Sequence, residues 1–515
     1  MTEVRRTASD LEVCLRRLNE IGVALSVEHD LGALLERILS EARRFTRADA
    51  GTLYLLKDDH LTFEIAQNDS LGSFLGGRHG RVDIPPVPLN CESVSGYVAV
   101  TRQTLNIADV YTDRRHQFEG PKHYDRMTGY RTGSMLVVPM QDHEDQVIGV
   151  LQLLNALHPD TGQVVPFSTE DESLIQSLAS QAAVGINNVR LIHELEALFE
   201  SLVRVLATAI DERSPYTGGH IRRVAEMAMV VAEAVNACST GPLASVSFSA
   251  DELHELRMAS WLHDIGKITT PEWVVDKPTK LTTLFDRIEL LRTRFALIRQ
   301  GVETELLKRE LAGEDAEALA AERCRRLGEL DDELTFLVRA NLPGEYMADA
   351  DLERLRGIAA KRFPWGGEEV PYLTPDELHN LSIRKGSLTE AERRKINDHA
   401  AVTIKMLEQI PFTRKLRQVP AIAGAHHEKL DGSGYPRGLR GEGIGLRARI
   451  LALVDVFESL SAHDRPYRAK PMPRETVLRI LREEVEANHL DRALLELFLS
   501  RQLYLRLDEA TTPAA

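Results

Sequence analysis

The stretch HHEKLDGSGYP, His426 to Pro436, joins two adjacent imidazoles to a carboxylate and a Gly-x-Gly-Tyr-Pro turn. Neighbouring helical residues point about 100° apart. Two such imidazoles therefore reach a shared point only at a helix end or a bend. Imidazole is the commonest metal ligand among side chains. Gly432 and Gly434 permit backbone angles that other residues avoid, and Pro436 fixes the exit. His263 and Asp264 are adjacent in WLHDIGKI (Trp261–Ile268), between a helical stretch and a glycine turn. They offer one neutral and one anionic ligand, and the two carboxylate oxygens can bridge two cations. His220 follows a turn at Tyr216–Gly219, and His399 lies in NDHA. Asp455 is read as the single inward carboxylate of ILALVDVFESL (Ile450–Leu460), where an acid is costly unless paired or bound to metal. Each residue alone has a plain structural explanation, a satisfied histidine or a capping acid. Together, five histidines and two aspartates in local frames point to a metal centre. Mixed imidazole and carboxylate ligands suit iron or manganese, with zinc allowed.

These residues must be held by a folded frame. The chain has 515 residues, enough for two to four domains, and 43% apolar residues, enough for a core in each. The net charge of −15 argues against a nucleic-acid surface or an anionic membrane surface. It leaves room for a small anion met by metals and a few local basic groups. Cys14, Cys91, Cys238 and Cys324 are widely spaced with no CxxC pair, which fits a reducing compartment and argues against a thiolate metal site. There is no apolar run of about 18 residues or signal-like segment. The expected location is cytoplasmic, with no membrane partner.

Leu31, Leu34, Leu35, Ile38 and Ala42 follow helical spacing. Strand-like runs follow at Gly51–Leu56, Leu61–Ala66, Thr104–Ile107, Ser134–Met140 and Val147–Leu154, separated by Gly, Asp and Pro clusters. Helix, short strands and a closing helix predict an antiparallel sheet with helices, an α+β domain. With SMLVVPM, VIGVLQLLN, Asn155, Phe167, Asp171 and Glu172, this region resembles a GAF domain. Those four residues match four letters of the Asn-Lys-Phe-Asp-Glu pattern of cyclic-nucleotide-binding members. Ala156 stands where that family has its lysine. The resemblance implies a sensor domain with a small-molecule ligand of unknown identity, or one used only for dimerisation.

From Thr169 one helical pattern runs on. Leu174, Leu178, Gln181, Gly185, Asn188, Ile192, Leu195, Phe199, Leu202, Leu206 and Ala209 alternate steps of four and three, a heptad seam. Asn188 could set register. The seam predicts a parallel homodimer, against a helix packed on its own domain.

The remainder reads as helical. The charged stretch between Arg287 and Arg356, closed by Pro364, Gly366, Gly367, Pro371 and Pro375, reads as part of a helical insert at about residues 290–385. Lys277–Phe295 and Arg384–Ala400 share a Lys-x-x-x-Leu-Thr-like opening. With its ordered ligands, HHEKLDGSGYP, and DRPYR at Asp464–Arg468, the region resembles the HD superfamily of metal phosphohydrolases and, within it, the HD-GYP family. The resemblance implies an all-α domain with an enzyme activity, hydrolysis of cyclic di-GMP to pGpG or GMP at a two-metal centre. One metal would take His220, His263, Asp264 and Asp455. The other would take Asp264 as a bridge with His399, His426 and His427. Lys267 would contact the phosphate or assist the leaving oxygen. Arg465, Arg468 and Lys470 would hold the second phosphate, and Tyr435 would line the guanine pocket. Some members bind a third metal through a glutamate one turn before the first histidine. That position is Tyr216 here, and two metals are expected. Alternatives are a non-catalytic cyclic di-GMP receptor and an HD phosphohydrolase of cyclic GMP-AMP or ppGpp. The resulting division is a GAF domain at 1–170, a linking coiled-coil helix at 171–205 and an HD-GYP domain at 206–508.

Overall fold

This computed structural model describes residues 16, 19–23, 28, 30–77, 80, 82–213, 219–344, 346–462 and 472–506. Ser214, Tyr216, Arg465, Arg468 and Lys470 lie outside them. The chain divides into two compact units, residues 1–199 and 200–515.

In the first unit, helix α1 (Leu31–Thr46) is capped by the Asp30 carboxylate, which accepts from Ala33 N at 2.6 Å. The strands are β1 (Ala48–Lys57), β2 (His60–Asn68), β3 (Ser73–Gly76), β4 (Val87–Pro88), β5 (Leu105–Ile107), β6 (Met135–Gln141), β7 (Val147–Leu157) and β8 (Val164–Val165). They pair antiparallel in the order β3-β2-β1-β7-β6-β5, with β4 on β2 and β8 on β7. Alternation along the strands sends side chains to two apolar cores. On one face Leu34, Ile38 and Leu39 of α1 pack with Leu53, Leu151 and Leu153. On the other, Val94 and Val98 of α2 (Val94–Thr101) pack with Tyr54, Met135 and Val150. The short helix α3 (Gly120–Thr128) follows β5.

Helix α4 runs without a break from Thr169 to Asp211. Acidic Glu170, Asp171 and Glu172 in its first turn complement the helix dipole. Its first half corrects the heptad reading. Leu178 is buried in the first unit's own core with Ala182, Ile186 and Val189, so it is not available to a partner, and Leu174 is buried as well. Beyond Val189 the stripe changes character: Ile192, Leu195, Leu202 and Leu206 are all exposed.

The second unit is helical. It contains α5 (His220–Asn236), α6 (Ala250–Leu262), α7 (Glu272–Val275), α8 (Ile288–Leu311), α9 (Ala316–Asn341), α10 (Asp349–Ala360), α11 (Pro375–Leu381), α12 (Glu390–Leu407), α13 (Val419–Ala423), α14 (Leu446–Ser461), α15 (Arg474–Glu486) and α16 (Arg492–Ser500). A hairpin of β9 (Arg362–Trp365) and β10 (Glu368–Pro371) stands between α10 and α11. Capping boxes start α6 (Ser249 with Glu252), α11 (Thr374 with Glu377) and α12 (Thr389 with Glu392). Residues from Leu281 to Leu381 build a core of their own around Phe295, Phe336 and Leu355. Its neck is tied at both ends. The buried Lys277 ammonium donates to Glu392 at 2.8 and 2.9 Å and to Asn380 Oδ1 at 3.1 Å, while Ser387 Oγ donates to Lys277 O. The two similar stretches seen in the sequence thus meet through a buried ion pair.

Candidate metal centre

His220 is the first residue of α5, preceded by Gly219 in the left-handed region at φ 81°. His263 and Asp264 follow α6 directly and lead into a 3-10 turn, Ile265–Thr269. Gly266 is required there. A Cβ at this position would stand 2.0 Å from His399 O and 2.7 Å from Thr403 N. Its absence lets the turn press against α12, which carries His399. Thr403 Oγ1 then accepts from Gly266 N and donates to His263 O, both at 3.0 Å. His426 and His427 lie in the turns after the five-residue α13. Asp455 comes from the middle of α14.

All seven predicted ligands converge. Asp264 stands between two groups. Its Oδ2 is 3.4 Å from His220 Nε2 and 3.3 Å from His263 Nε2. Its Oδ1 is 3.3 Å from His399 Nε2 and 3.9 Å from His426 Nε2. Asp455 Oδ1 lies 3.3 Å from His220 Nε2, and its Oδ2 lies 3.9 Å from His427 Nδ1. The ligand atoms of His399, His426 and His427 lie within 4.8 Å of one another, as do those of His220, His263 and Asp455.

The histidines are held for ligation. His263, His399 and His426 each turn Nδ1 onto the carbonyl three residues earlier, Ser260, Ile396 and Ala423, at 2.7, 2.5 and 2.6 Å. A carbonyl only accepts, so Nδ1 carries the proton and Nε2 keeps its lone pair for the centre. Burial lowers the pKa of His399, His426 and His427, the last to about 4, keeping these imidazoles neutral. Burial pushes Asp264 upward, but Lys267, His263 and His220 outweigh it and hold it well below the usual carboxylate range. Neutral imidazoles around anionic aspartates are the donor set a divalent cation takes. His263 Nε2 and Asp264 Oδ1 are buried and have no hydrogen-bond partner among the described residues. Orphaned acceptors at the middle of such a cluster fit bound cations.

Four features escaped the sequence reading. Glu458, three residues after Asp455 on the same helix, is fully buried and hydrogen-bonds His220 Nδ1; its other oxygen accepts from Arg223 Nε at 2.7 Å. Asp455 is therefore not the single inward acid of α14, and the i, i+3 spacing was the available signal. Asp211, at the end of α4, accepts from Ile221 N at 3.2 Å and lines a small cavity with His220, Asp264 and Lys267. Burial lifts it to about 6, against the pull of His220. Arg213 clamps the 3-10 turn by donating to the carbonyls of Lys267, Ile268 and Thr270 at 2.6–2.7 Å. Glu428 points away from ligation. It accepts from Arg437 N and Leu439 N at 2.7 and 2.9 Å and so shapes the Gly-Tyr-Pro loop.

Lys267 Nζ donates to Asp264 Oδ2 at 2.5 Å. Tyr435 packs its ring on His427, centroids 4.8 Å apart, and its N–H donates to His427 O at 3.2 Å. Gly432 has φ 83°, whereas Gly434 is needed for space, since a Cβ there would stand 2.4 Å from Lys429 N. In the first unit, Asn155 accepts from Gly133 N at 2.7 Å and donates to Tyr130 OH and Arg131 O. Asp171 accepts from Ser168 N and Oγ, Glu172 accepts from Asn106 Nδ2, and Phe167 is core.

A sheet domain of this order, followed in the chain by a helical unit with clustered His and Asp side chains, is the architecture of a GAF domain joined to an HD domain. Models described as GAF domain and as HD domain match residues 30–186 and residues 217–354 and 371–494. The chain carries a GAF domain followed by an HD region, and the seven candidate ligands are divided between the two HD matches. It is 48% identical over 103 residues to 3'3'-cGAMP-specific phosphodiesterase 3 of Vibrio cholerae, covering 20% of this chain and 21% of that one. It is 38% identical over 141 residues to phosphodiesterase 1 of the same specificity and organism, covering 27% and 31%. A cGMP-specific 3',5'-cyclic phosphodiesterase of Drosophila melanogaster is 27% identical over 201 residues, covering 36% and 17%. The alignments thus span less than a third of each relative. The GAF domain of an Acinetobacter phosphoenolpyruvate-protein phosphotransferase is similar at 20% identity and TM-score 0.27, covering 35% of this chain and 98% of that structure. Among the described residues no helix is long and apolar enough to cross a membrane.

Proposed function

We propose that the chain is a metal-dependent phosphodiesterase of the HD-GYP kind that opens a guanine-containing cyclic dinucleotide, under control of its GAF domain. The observation that carries this reading is Asp264, whose two oxygens face two different histidine groups. His220, His263, Asp264 and Asp455 would hold one divalent ion, and Asp264, His399, His426 and His427 another, with iron or manganese the suited metals. Ions held there supply charge that neutralises phosphate oxygens and makes water acidic enough to serve as nucleophile. Asp264 and Asp455 stay ionised, His220, His263, His399 and His426 keep Nε2 toward the centre, and His427 turns Nδ1 toward Asp455. Lys267, a quarter exposed, is placed to neutralise a phosphate oxygen or assist the leaving oxygen. Tyr435, fixed on His427, offers a ring to a guanine base. Arg465, Arg468 and Lys470 are assigned to the second phosphate.

Cyclic di-GMP is the substrate expected from the sequence, and 3'3'-cGAMP enters through the named specificity of the Vibrio relatives. The test is hydrolysis by the full chain, loaded anaerobically with Fe(II) or Mn(II), of cyclic di-GMP, 3'3'-cGAMP and ppGpp, followed by chromatography. Linear dinucleotide or mononucleotide from either cyclic dinucleotide is the expected result, and the ratio of the two rates assigns specificity. Binding without product at full metal occupancy would instead make the chain a receptor. Turnover of ppGpp alone would overturn the reading.

A further inference from the structure

The GAF domain holds a cavity of about 280 Å³ between its sheet and α2 and α3, lined by Tyr54, Phe63, Asn68, Ser95, Tyr124 and Gln152 among others. Among the described residues, no Lys, Arg, His, Asp or Glu lines it. A phosphate held against these described residues would lose its hydration with no cation among them in return, a cost of many kcal/mol. The motif residues do not alter this, because Asn155, Phe167, Asp171 and Glu172 brace the fold and none lines the cavity.

The wall instead offers aromatic faces and neutral hydrogen-bonding groups. Tyr54 and Phe63 stand with ring centroids 4.7 Å apart. Tyr54 OH donates to Gln152 Oε1 at 3.4 Å, which leaves the Gln152 amide nitrogen as a donor on the same wall. Asn68 is 5% exposed; its Oδ1 accepts from Leu71 N at 3.0 Å, and its Nδ2 is buried in the cavity wall with no partner among the described residues. An amide donor left unsatisfied there costs about 1–3 kcal/mol, which a ligand acceptor restores once the amide turns into the cavity. The volume suits one or two fused rings and lies below the usual range for larger ligands, about 300–1,000 Å³.

We infer that this cavity takes an uncharged, planar lactam heterocycle of nucleobase size, whose carbonyl accepts from Asn68 Nδ2, and that it excludes phosphorylated nucleotides. This rests on reading the N-terminal domain as a sensor. It is tested by binding alone, so it can fail or hold whatever the HD region hydrolyses.

The probes are hypoxanthine and uracil against cyclic GMP and GMP, titrated calorimetrically into the full chain. Asn68→Asp keeps the acceptor for Leu71 N and removes the donor. Gln152→Leu is a second variant, placed on β7, and circular dichroism checks the folding of both. Saturable binding of at least one lactam base is expected, weakened about tenfold or more in Asn68→Asp or in Gln152→Leu, and unchanged when cyclic GMP or GMP is present as competitor. Tenfold corresponds to about 1.4 kcal/mol. Displacement of the bound base by cyclic GMP, no binding of either base, or equal affinity in both folded variants would overturn the inference.

Discussion

Glu458 accepts a hydrogen bond from His220 Nδ1 where neither side chain meets solvent. Burial pushes the His220 imidazole down, and Glu458, with Asp264 and Asp455, outweighs this and raises it well above its usual value. The carboxylate fixes the ring so that Nε2 faces Asp264 and Asp455. Such outer partners typically contribute 10–100-fold to metal affinity or activity. Glu458→Gln should keep the ring placed with a weaker partner, and Glu458→Ala should lower metal affinity by about 10–100-fold. Metal titration of both variants, with activity at saturating metal, checks this; unchanged affinity in Glu458→Ala would remove Glu458 from the site.

Asp264 should be needed by both ions. Two metals per chain are expected by elemental analysis of the parent. Asp264→Ala should lose activity and bind less of both, because each histidine group loses its shared anion. Three well-occupied metals in the parent would bring a further ligand into play, and Asp211, a buried acid that lines a small cavity with His220 and Asp264, would be the residue to replace next.

Gly266→Ala should disturb the centre without touching a ligand. The added methyl would meet backbone, His399 O and Thr403 N, which cannot swing aside as a side chain can. Overpacking of this kind costs about 1–3 kcal/mol. A lower melting temperature with weaker metal binding is expected. A parent-like melt would show that the turn can move away from α12.

Lys280 gives a pH test remote from the site. Its side chain is buried, and Nζ has one long contact, Leu381 O at 3.5 Å. Burial, only partly offset by Asp351, lowers it from 10.5 to about 8. A depressed lysine binds its proton less tightly when folded than unfolded, so the penalty is full below pH 8 and fades as pH rises toward 10.5. Lys280→Met should stabilise the second unit by about 1–3 kcal/mol at pH 7 and flatten the rise between pH 8 and 10.5. Denaturant unfolding at several pH values reads both.

The exposed half of α4 should pair with a second copy. Ile192, Leu195, Leu202 and Leu206 form the stripe, and charges placed in such a seam must be desolvated. Leu195→Glu with Leu202→Glu should shift light scattering toward monomer. The same helix ends at Asp211, bonded to Ile221 N beside His220, and is followed by Arg213 on the turn after Asp264. Two residues inserted after Ile192 rotate the downstream helix by about 200° and should change the hydrolysis rate or its response to a GAF ligand. Coupling of this kind is commonly about 5- to 150-fold. If rate and response stay at parent values, the helix is a tether.

Much of this protein is legible from residue order. The strand runs at Gly51–Leu56 and Val147–Leu154 appear within β1 and β7, because short apolar runs bounded by Gly, Asp and Pro clusters are a local signal. The clustering of the seven candidate ligands was legible because imidazole and carboxylate groups in tight local frames have few other uses. Tertiary structure decided what those groups lean on. Glu458 becomes a partner of His220 only when α14 crosses α5, and Gly266 becomes indispensable only when α12 lies against the turn. It also divided the heptad stripe, since Leu178 and Leu195 carry the same sequence signal but one meets a sheet and the other solvent. Asn155 and Asp171 match a ligand-binding pattern yet spend hydrogen bonds on their own domain's backbone and side chains, while Asn68, in no motif, keeps a donor in the cavity wall with no partner among the described residues. Periodicity and residue type are set along the chain; which polar atoms remain unsatisfied is set by neighbours distant in sequence.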